Sequence, residues 1–222
     1  MALPSDLAWQ ERSAVRSIGP AQARALEAAA RAVKAARRLA SETGSPAFTV
    51  QQVVDTAGIS LKSFYRHFAG KDDLLLAVFE EDNRRGAEAL RVLVEEHEDP
   101  LERLRACVVG LFGFIAAGDR QYMAVMIREH LRLAEQRSDE LRHVLAPFFA
   151  LLRRELDAAI AAGAVRRDDA ARDAAIVFNL VLAHIHAVLL GHLAEDPAEL
   201  GEYLWEFCRR ALAPSPERQR PT

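Results

Sequence analysis

The chain reads as an all-α protein of about nine helices, and three observations predict that class. Aromatic residues make up only 7% of its 222 residues, while alanine and leucine dominate. Apolar residues recur at spacings of three and four over most of the length. Glycine and proline fall mostly between those periodic stretches, where they interrupt helices rather than build strands. Half of the residues are hydrophobic and the net charge is only -3, so the chain can bury real cores and is not disordered.

Residues 1–19 contain Pro4 and Gly19 and no sustained period, and they read as a flexible arm whose notable groups are Trp9, Arg12 and Arg16. Pro20 suits a first helical turn. From it Leu26, Ala29, Val33, Ala36 and Ala40 repeat at helical spacing until Gly44 stops them. After the turn Gly44-Ser45-Pro46, Thr49 caps a short helix bearing Val50, Val53 and Val54, which Ala57-Gly58 ends. Ser60 caps a second short helix, expected to run through Phe68, with Phe64 and Phe68 four apart on one face. Asp72 and Asp73 favour the start of a long helix over 71–97 through the macrodipole. Further helices are expected over 101–117, 120–133, 138–162, 168–191 and 197–212, with breaks at Gly118, Gly163 and Pro197 and a kink at Pro147. The stretch 214–222, Pro-Ser-Pro-Glu-Arg-Gln-Arg-Pro-Thr, reads as a disordered tail.

Charge is not spread evenly. Between Pro20 and Lys71 there are eight basic residues (Arg24, Arg31, Lys34, Arg37, Arg38, Lys62, Arg66, Lys71) against three acidic ones (Glu27, Glu42, Asp55), a net of +5. Residues 1–19 are neutral overall and 72–222 carry -8, so a basic N-terminal module sits on an acidic body. Cys107 and Cys208 each lie in an apolar helical pattern with no second ligand nearby, which suggests neither a disulfide nor a zinc site and fits a reducing cytoplasm. No basic segment followed by an apolar run opens the chain. The most apolar stretch, 174–190, is interrupted by Asn179, His184 and His186, so neither export nor membrane insertion is expected.

Thr49 to Phe68 has the layout of a helix-turn-helix. Val50, Val53, Ile59, Phe64 and Phe68 can form the small core that sets the interhelical angle, and Gly58 supplies a turn that a Cβ would penalise. The second helix is then free to enter a major groove, its first turn presenting Leu61, Lys62 and Ser63 to base edges. Tyr65, His67 and Lys71 would contact phosphates. The core face is already filled by Phe64 and Phe68, which turns the polar groups of Tyr65 and His67 outward. Lys62, Arg66 and Lys71 would be solvated charge on an arbitrary helix; inside this motif they are assigned to DNA.

Ala32-Val33-Lys34-Ala35-Ala36, Leu39-Ala40, Gly44, Thr49, Ala57-Gly58, Ser60, Phe64-Tyr65, His67-Phe68 and Lys71 together resemble the TetR family of bacterial transcriptional regulators, over roughly residues 31–80. The resemblance implies phosphate contacts from Thr49, Tyr65, His67 and Lys71 and base-edge contacts from Gln51, Leu61, Lys62 and Ser63. Three positions depart from the pattern. Val54 stands where a smaller residue is usual, Phe64 replaces the commoner leucine, and Leu61 offers a base only apolar contact.

By the same resemblance, residues 20–84 form the DNA-binding domain and 85–213 a domain that binds a small effector and dimerises through its last two helices. The sequence is compatible with this. Ile176, Leu180, Ala183 and Ala187 form one small-and-apolar stripe, and Leu200, Tyr203, Leu204, Phe207 and Leu212 another; either could also pack within one subunit. Candidate pocket residues are Phe112, Met123, Met126, Ile127, His130, Phe148, Phe149, Leu152 and Phe178, whose bulky or adaptable side chains line ligand cavities and dry cores alike. They lean toward a hydrophobic, lipid-like or drug-like effector.

His184 and His186 lie two apart, about 200° around a helix, and cannot share an ion; His192 is two turns, roughly 12 Å, beyond His184. A single histidine lining a cavity is the sharper reading for His130, His184 or His186, with a core or interface histidine as the alternative. No glycine-rich phosphate loop, GxSxG elbow or HExxH motif is present, so no enzyme, cofactor or metal is expected. The expected function is a cytoplasmic, ligand-responsive repressor that binds a near-palindromic operator as a homodimer. A helical enzyme on a DNA-binding fold and an architectural DNA protein without an effector are the rival classes.

Overall fold

The computed structural model describes residues 20–166 and 169–214; the N-terminal arm with Trp9, Arg12 and Arg16, and all but Pro214 of the tail, lie outside the described residues. Nine helices and no strand occur among them: α1 (Pro20–Thr43), α2 (Val50–Ala57), α3 (Leu61–Tyr65), α4 (Lys71–Glu95), α5 (Pro100–Ala117), α6 (Arg120–Ala134), α7 (Ser138–Ala161), α8 (Ala170–Leu189) and α9 (Pro197–Leu212). The described residues divide into two compact units, one of 20–39 and 47–78, the other of 40–46, 79–166 and 169–214.

The helix starts follow from short polar side chains. Asp99 accepts hydrogen bonds from the amides of Leu101 and Glu102 at 2.8 and 3.0 Å, and Asp196 from those of Ala198 and Glu199 at 2.9 and 3.2 Å. Each is followed by a proline at the first helical position, where its missing N–H goes unneeded. Asp119 and Asp169 cap α6 and α8 in the same way. α7 passes through Pro147 as one helix.

In the first unit Ala32, Val33, Ala36, Val53, Val54, Phe64, Phe68, Leu74, Leu75 and Val78 are buried. Phe64 is wholly inaccessible, its ring edge-on to Tyr65 and tilted against Phe68, with centroids 5.3 Å away in both cases.

In the second unit α9 packs most extensively on α5, α5 on α7 and α7 on α8. Phe112, Leu156, Val177, Leu204 and Trp205 lie in the core they share. A Cβ at Gly201 would stand 3.0 Å from the Cβ of Phe112, so α9 lies against α5 at a distance that only glycine allows without displacement. α8 is long and apolar enough by composition to cross a membrane, with a mean hydropathy of 1.4. It packs against α5, α6, α7 and α9 here, burying Ala174, Val177, Val181 and Val188.

Three carboxylates are buried among the described residues, Glu129, Glu155 and Asp173. Glu155 is 0% exposed. Its Oε1 accepts from Arg154 Nε at 2.6 Å and from Arg103 Nη2 at 3.1 Å. Arg103 Nε is 2.8 Å from Oε2, in ion-pair range but too oblique for a hydrogen bond. Asp173, 7% exposed, accepts from Arg166 Nη2 at 2.7 Å. The backbone amide of Arg166 in turn donates to the Leu212 carbonyl at 3.0 Å, tying the α7–α8 connection to the end of α9.

Candidate DNA-binding surface and effector cleft

The helix-turn-helix is assembled by local hydrogen bonds. Thr49 Oγ1 accepts from the Gln52 amide at 3.2 Å, while Gln52 Oε1 accepts from the Thr49 amide at 2.7 Å, a reciprocal capping box that starts α2. Gly58 ends α2 at φ +61°, a left-handed conformation that other residues adopt only with strain. Ser60 Oγ accepts from the Ser63 amide at 3.1 Å and starts α3. The hydroxyls of Thr49 and Ser60 are therefore engaged in capping, and Gln51 Nε2 donates to Asp55 Oδ1 at 2.8 Å.

Beyond the Ser60 cap, Leu61 (42% exposed), Lys62, Tyr65 (57%) and Arg66 face away from the Phe64 core, and Ser63 is half-buried. Lys71, half-buried at the start of α4, sets its ammonium 4.6 Å from the centre of the Phe48 ring. His67 departs from the expectation of an outward polar group. α3 ends at Tyr65 rather than Phe68, because the His67 and Phe68 amides both turn back to the Phe64 carbonyl, at 2.9 and 3.0 Å. The His67 ring lies on the turn with its centroid 6.3 Å from that of Phe68, and its Nε2 is buried without a partner among the described residues.

In the second unit a cleft of about 520 Å³ opens between α6, α7 and α8, within the size range of small-molecule sites, about 300–1,000 Å³. Three of the expected pocket residues line it: His130, Phe149 and Phe178, the last two edge-on with centroids 5.9 Å apart. The remaining wall is Leu141, Leu145 and Leu182, with Ala134 and Ala146, and the polar groups are Ser138, Arg142 and Asn179. The other expected pocket residues lie elsewhere. Phe112 is fully buried behind Gly201, Met126 is buried, and Met123 and Ile127 pack on the core. Phe148 and Leu152 border a void of about 10 Å³, room for no more than one water.

His130 carries the cleft's polar character inward, with its ring centroid 5.6 Å from that of His186 and 6.0 Å from that of Phe79. Burial lowers the pKa of His130. Burial, and then the proximity of His130, lower that of His186 to about 4. Both imidazoles are neutral at neutral pH, so each offers one donor and one acceptor rather than a cation. His186 Nε2 is buried and unpartnered among the described residues. His184 instead bonds the Leu180 carbonyl through Nδ1 at 2.8 Å, and His192 is exposed. Sequence reasoning missed Asn179 as a cleft residue. Its signal was present: a polar side chain in the middle of the most apolar helix.

On the two C-terminal helices Ile176 (58% exposed), Tyr203 (66%) and Phe207 (52%) are large apolar groups left facing solvent. Ala183 is exposed, Leu180 and Ala187 are half-buried, and Leu204, expected at an interface, is 3% exposed inside its own core. Tyr203 and Phe207 lie four apart and share a face; Leu204, one residue on, falls on the other.

An exposed recognition helix held on a capped, glycine-turned partner defines the N-terminal unit as a helix-turn-helix DNA-binding domain. Residues 32–78 match the family model described as bacterial regulatory proteins, tetR family. Over 97 residues it is 28% identical to the HTH-type transcriptional activator FasR of Mycolicibacterium smegmatis, a match spanning 44% of each chain. The fold is shared with FadR of Bacillus subtilis, solved in complex with stearoyl-CoA (TM-score 0.69, 18% identity, covering 82% of this chain and 98% of that one). It is shared as well with RolR in complex with resorcinol (TM-score 0.63, 18% identity, covering 90% and 97%).

Proposed function

We propose that the chain is a ligand-responsive transcriptional regulator that grips a near-palindromic operator as a homodimer and releases it when a small effector occupies the α6–α7–α8 cleft. The observation that carries this reading is the outward face of α3. Leu61, Lys62, Tyr65 and Arg66 are exposed on a helix whose opposite face is anchored by Phe64. Leu61, Lys62 and Ser63 then read base edges, with Gln51 at their flank, while Thr49, Ser60, Tyr65, Arg66, His67 and Lys71 set the register on phosphates. The buried Nε2 of His67 weakens its share in that set, whereas capping occupies one lone pair of Thr49 and of Ser60 and leaves each O–H able to donate to a phosphate.

Dimerisation is assigned to the face that leaves Ile176, Tyr203 and Phe207 exposed, joined by Leu180, Ala183 and Ala187. Two-fold symmetry places the recognition helices about 34–36 Å apart, one turn of DNA, so an effector that changes this spacing weakens binding. The apolar walls of the cleft and the His130 imidazole, whose pKa burial lowers, suit a mainly hydrophobic effector carrying one hydrogen-bonding group. Such a regulator works in the cytoplasm, and release by effector makes it a repressor. The similarity to FasR, an activator, favours the opposite output as the second reading.

The test is fluorescence anisotropy of the purified protein on duplex from its own upstream region and on scrambled duplex, with a Tyr65→Phe, Lys71→Ala double variant as control. Preference for the upstream duplex that the variant loses supports the reading, and equal weak binding to both overturns it. Adding resorcinol or stearoyl-CoA, with and without a cleft-filling Leu145→Trp change, tests the effector site. A promoter–reporter fusion separates repression from activation.

A further inference from the structure

We propose that α1 carries a second DNA-backbone contact, in which Arg24 and Arg31, with Arg66 from the turn after α3, hold phosphates flanking the groove that α3 enters. This rests on the DNA-binding reading above. The three guanidinium groups line one groove of about 400 Å³, together with Ser60 and Ser63 of the recognition helix. All three side chains are exposed, and none has an ion-pair partner among the described residues. Several other arginines of this chain are matched by a carboxylate one turn away, Arg85 by Glu81, Arg91 by Glu88 and Glu95, Arg153 by Asp157 and Arg209 by Glu206, whereas the exposed Arg84, Arg128 and Arg172 stand singly; what sets Arg24, Arg31 and Arg66 apart is that three cations share one groove. Glu27, three residues from Arg24 and four from Arg31, is not part of the groove lining and has no ion pair with either among the described residues.

Arg24, Ala28 and Arg31 follow one another at helical spacing along a single face, and Ala28, 5% exposed, anchors that face to the unit. Two turns separate the arginines by about 10 Å, whereas phosphates of one DNA strand advance about 3.4 Å per step. Charges spread along a helix in this way match a line of phosphates rather than a single small anion. The groove is continuous with the cap of α3, so the strand that borders the recognition helix is the polyanion within reach. Such contacts add affinity without reading sequence.

The experiment compares the full-length protein with Arg24→Ala, Arg31→Ala and Arg24→Lys, Arg31→Lys double variants. Each is titrated by anisotropy on the upstream and scrambled duplexes between 50 and 200 mM salt, circular dichroism having checked that each variant is folded. Removing one charge from a phosphate lowers the slope of log K against log salt by about 1, so the alanine variant is expected to lose about 2 per subunit. Its binding to both duplexes should weaken by the same factor, and the lysine variant should keep the wild-type slope. An unchanged slope in the alanine variant, while Tyr65→Phe, Lys71→Ala still abolishes preference, overturns this contact and leaves the regulator reading standing. Weakening confined to the upstream duplex also overturns it, because the arginines would then be reading bases. If the wild type binds neither duplex, both readings fall together.

Discussion

Truncating Phe64 to alanine isolates the ring that fixes the recognition helix. A phenylalanine carries about 150–250 Å² of surface, and at about 25 cal/mol per Å² burying it supplies on the order of 4 kcal/mol. Phe64 is 0% exposed and touches two other rings, so little collapse is available to fill the space. The expected cost is therefore about 3–5 kcal/mol, against about 1 kcal/mol for Phe64→Leu, which keeps most of the volume. Because the core of the first unit is its own, the loss should appear there. In hydrogen exchange, amides of α2 and α3 should lose about two to four orders of magnitude of protection, at about 1.4 kcal/mol per tenfold, while those of α5, α7 and α9 keep theirs. A starting stability at the low end of the usual range, about 5 kcal/mol, would leave the unit about 0–2 kcal/mol. At least about half of the molecules would still be binding-competent, and DNA affinity would then fall no more than about twofold through population alone. Equal loss of protection in both units would show that they open together. No loss in α2 and α3 would show that the ring does not carry the motif. Either result refutes the argument.

Three further outcomes follow from the second unit. Arg103→Met should destabilise by about 3–5 kcal/mol in denaturant unfolding, since it strips the buried Glu155 of one of its two arginines, and Arg154→Met by less because Arg154 is the more exposed partner; equal effects would contradict the assignment. Burial raises the thiol of Cys107 to about 12, reinforced by Glu155, and that of Cys208 to about 11, so at pH 8 neither should react with iodoacetamide until the protein is unfolded, as read by mass spectrometry. His186 titrates near 4 when folded against an ordinary 6.5, so the unfolded chain binds the proton first. Its contribution to stability is complete above about pH 6.5 and declines as the pH falls toward 4, by at most about 1.4 kcal/mol per pH unit, and His186→Leu should flatten that part of the profile.

What the sequence made legible was whatever depends on neighbours along the chain. Asp99-Pro100 and Asp196-Pro197 announce their helices because cap and proline act within one turn, and Thr49, Gly58 and Ser60 frame the helix-turn-helix for the same reason. The end of α3 was not legible. Phe68 keeps the helical spacing from Phe64, but the chain leaves the helix at Tyr65 and still brings both rings together through the turn. The cleft was the least legible part. Phe112 and Phe178 look alike in sequence, yet one is sealed against Gly201 and the other faces open space. Which apolar residue meets a partner depends on how α5 crosses α9 and how α7 crosses α8, and no local pattern encodes that. Leu204 misled in the same way, since a stripe of apolar residues on α9 serves two faces at once.

Pro147 leaves the hydrogen-bond ladder of α7 one rung short. With no amide at 147, the His143 carbonyl has no partner four residues on, and the gap falls alongside Leu145 and Ala146, which form part of the cleft wall. Elsewhere a helix that bends must stretch a bond it already has; here there is none to stretch. That turn of α7 therefore lacks the backbone bond that would resist its bending, while Leu151, Leu156 and Ala159 further along are buried in the core.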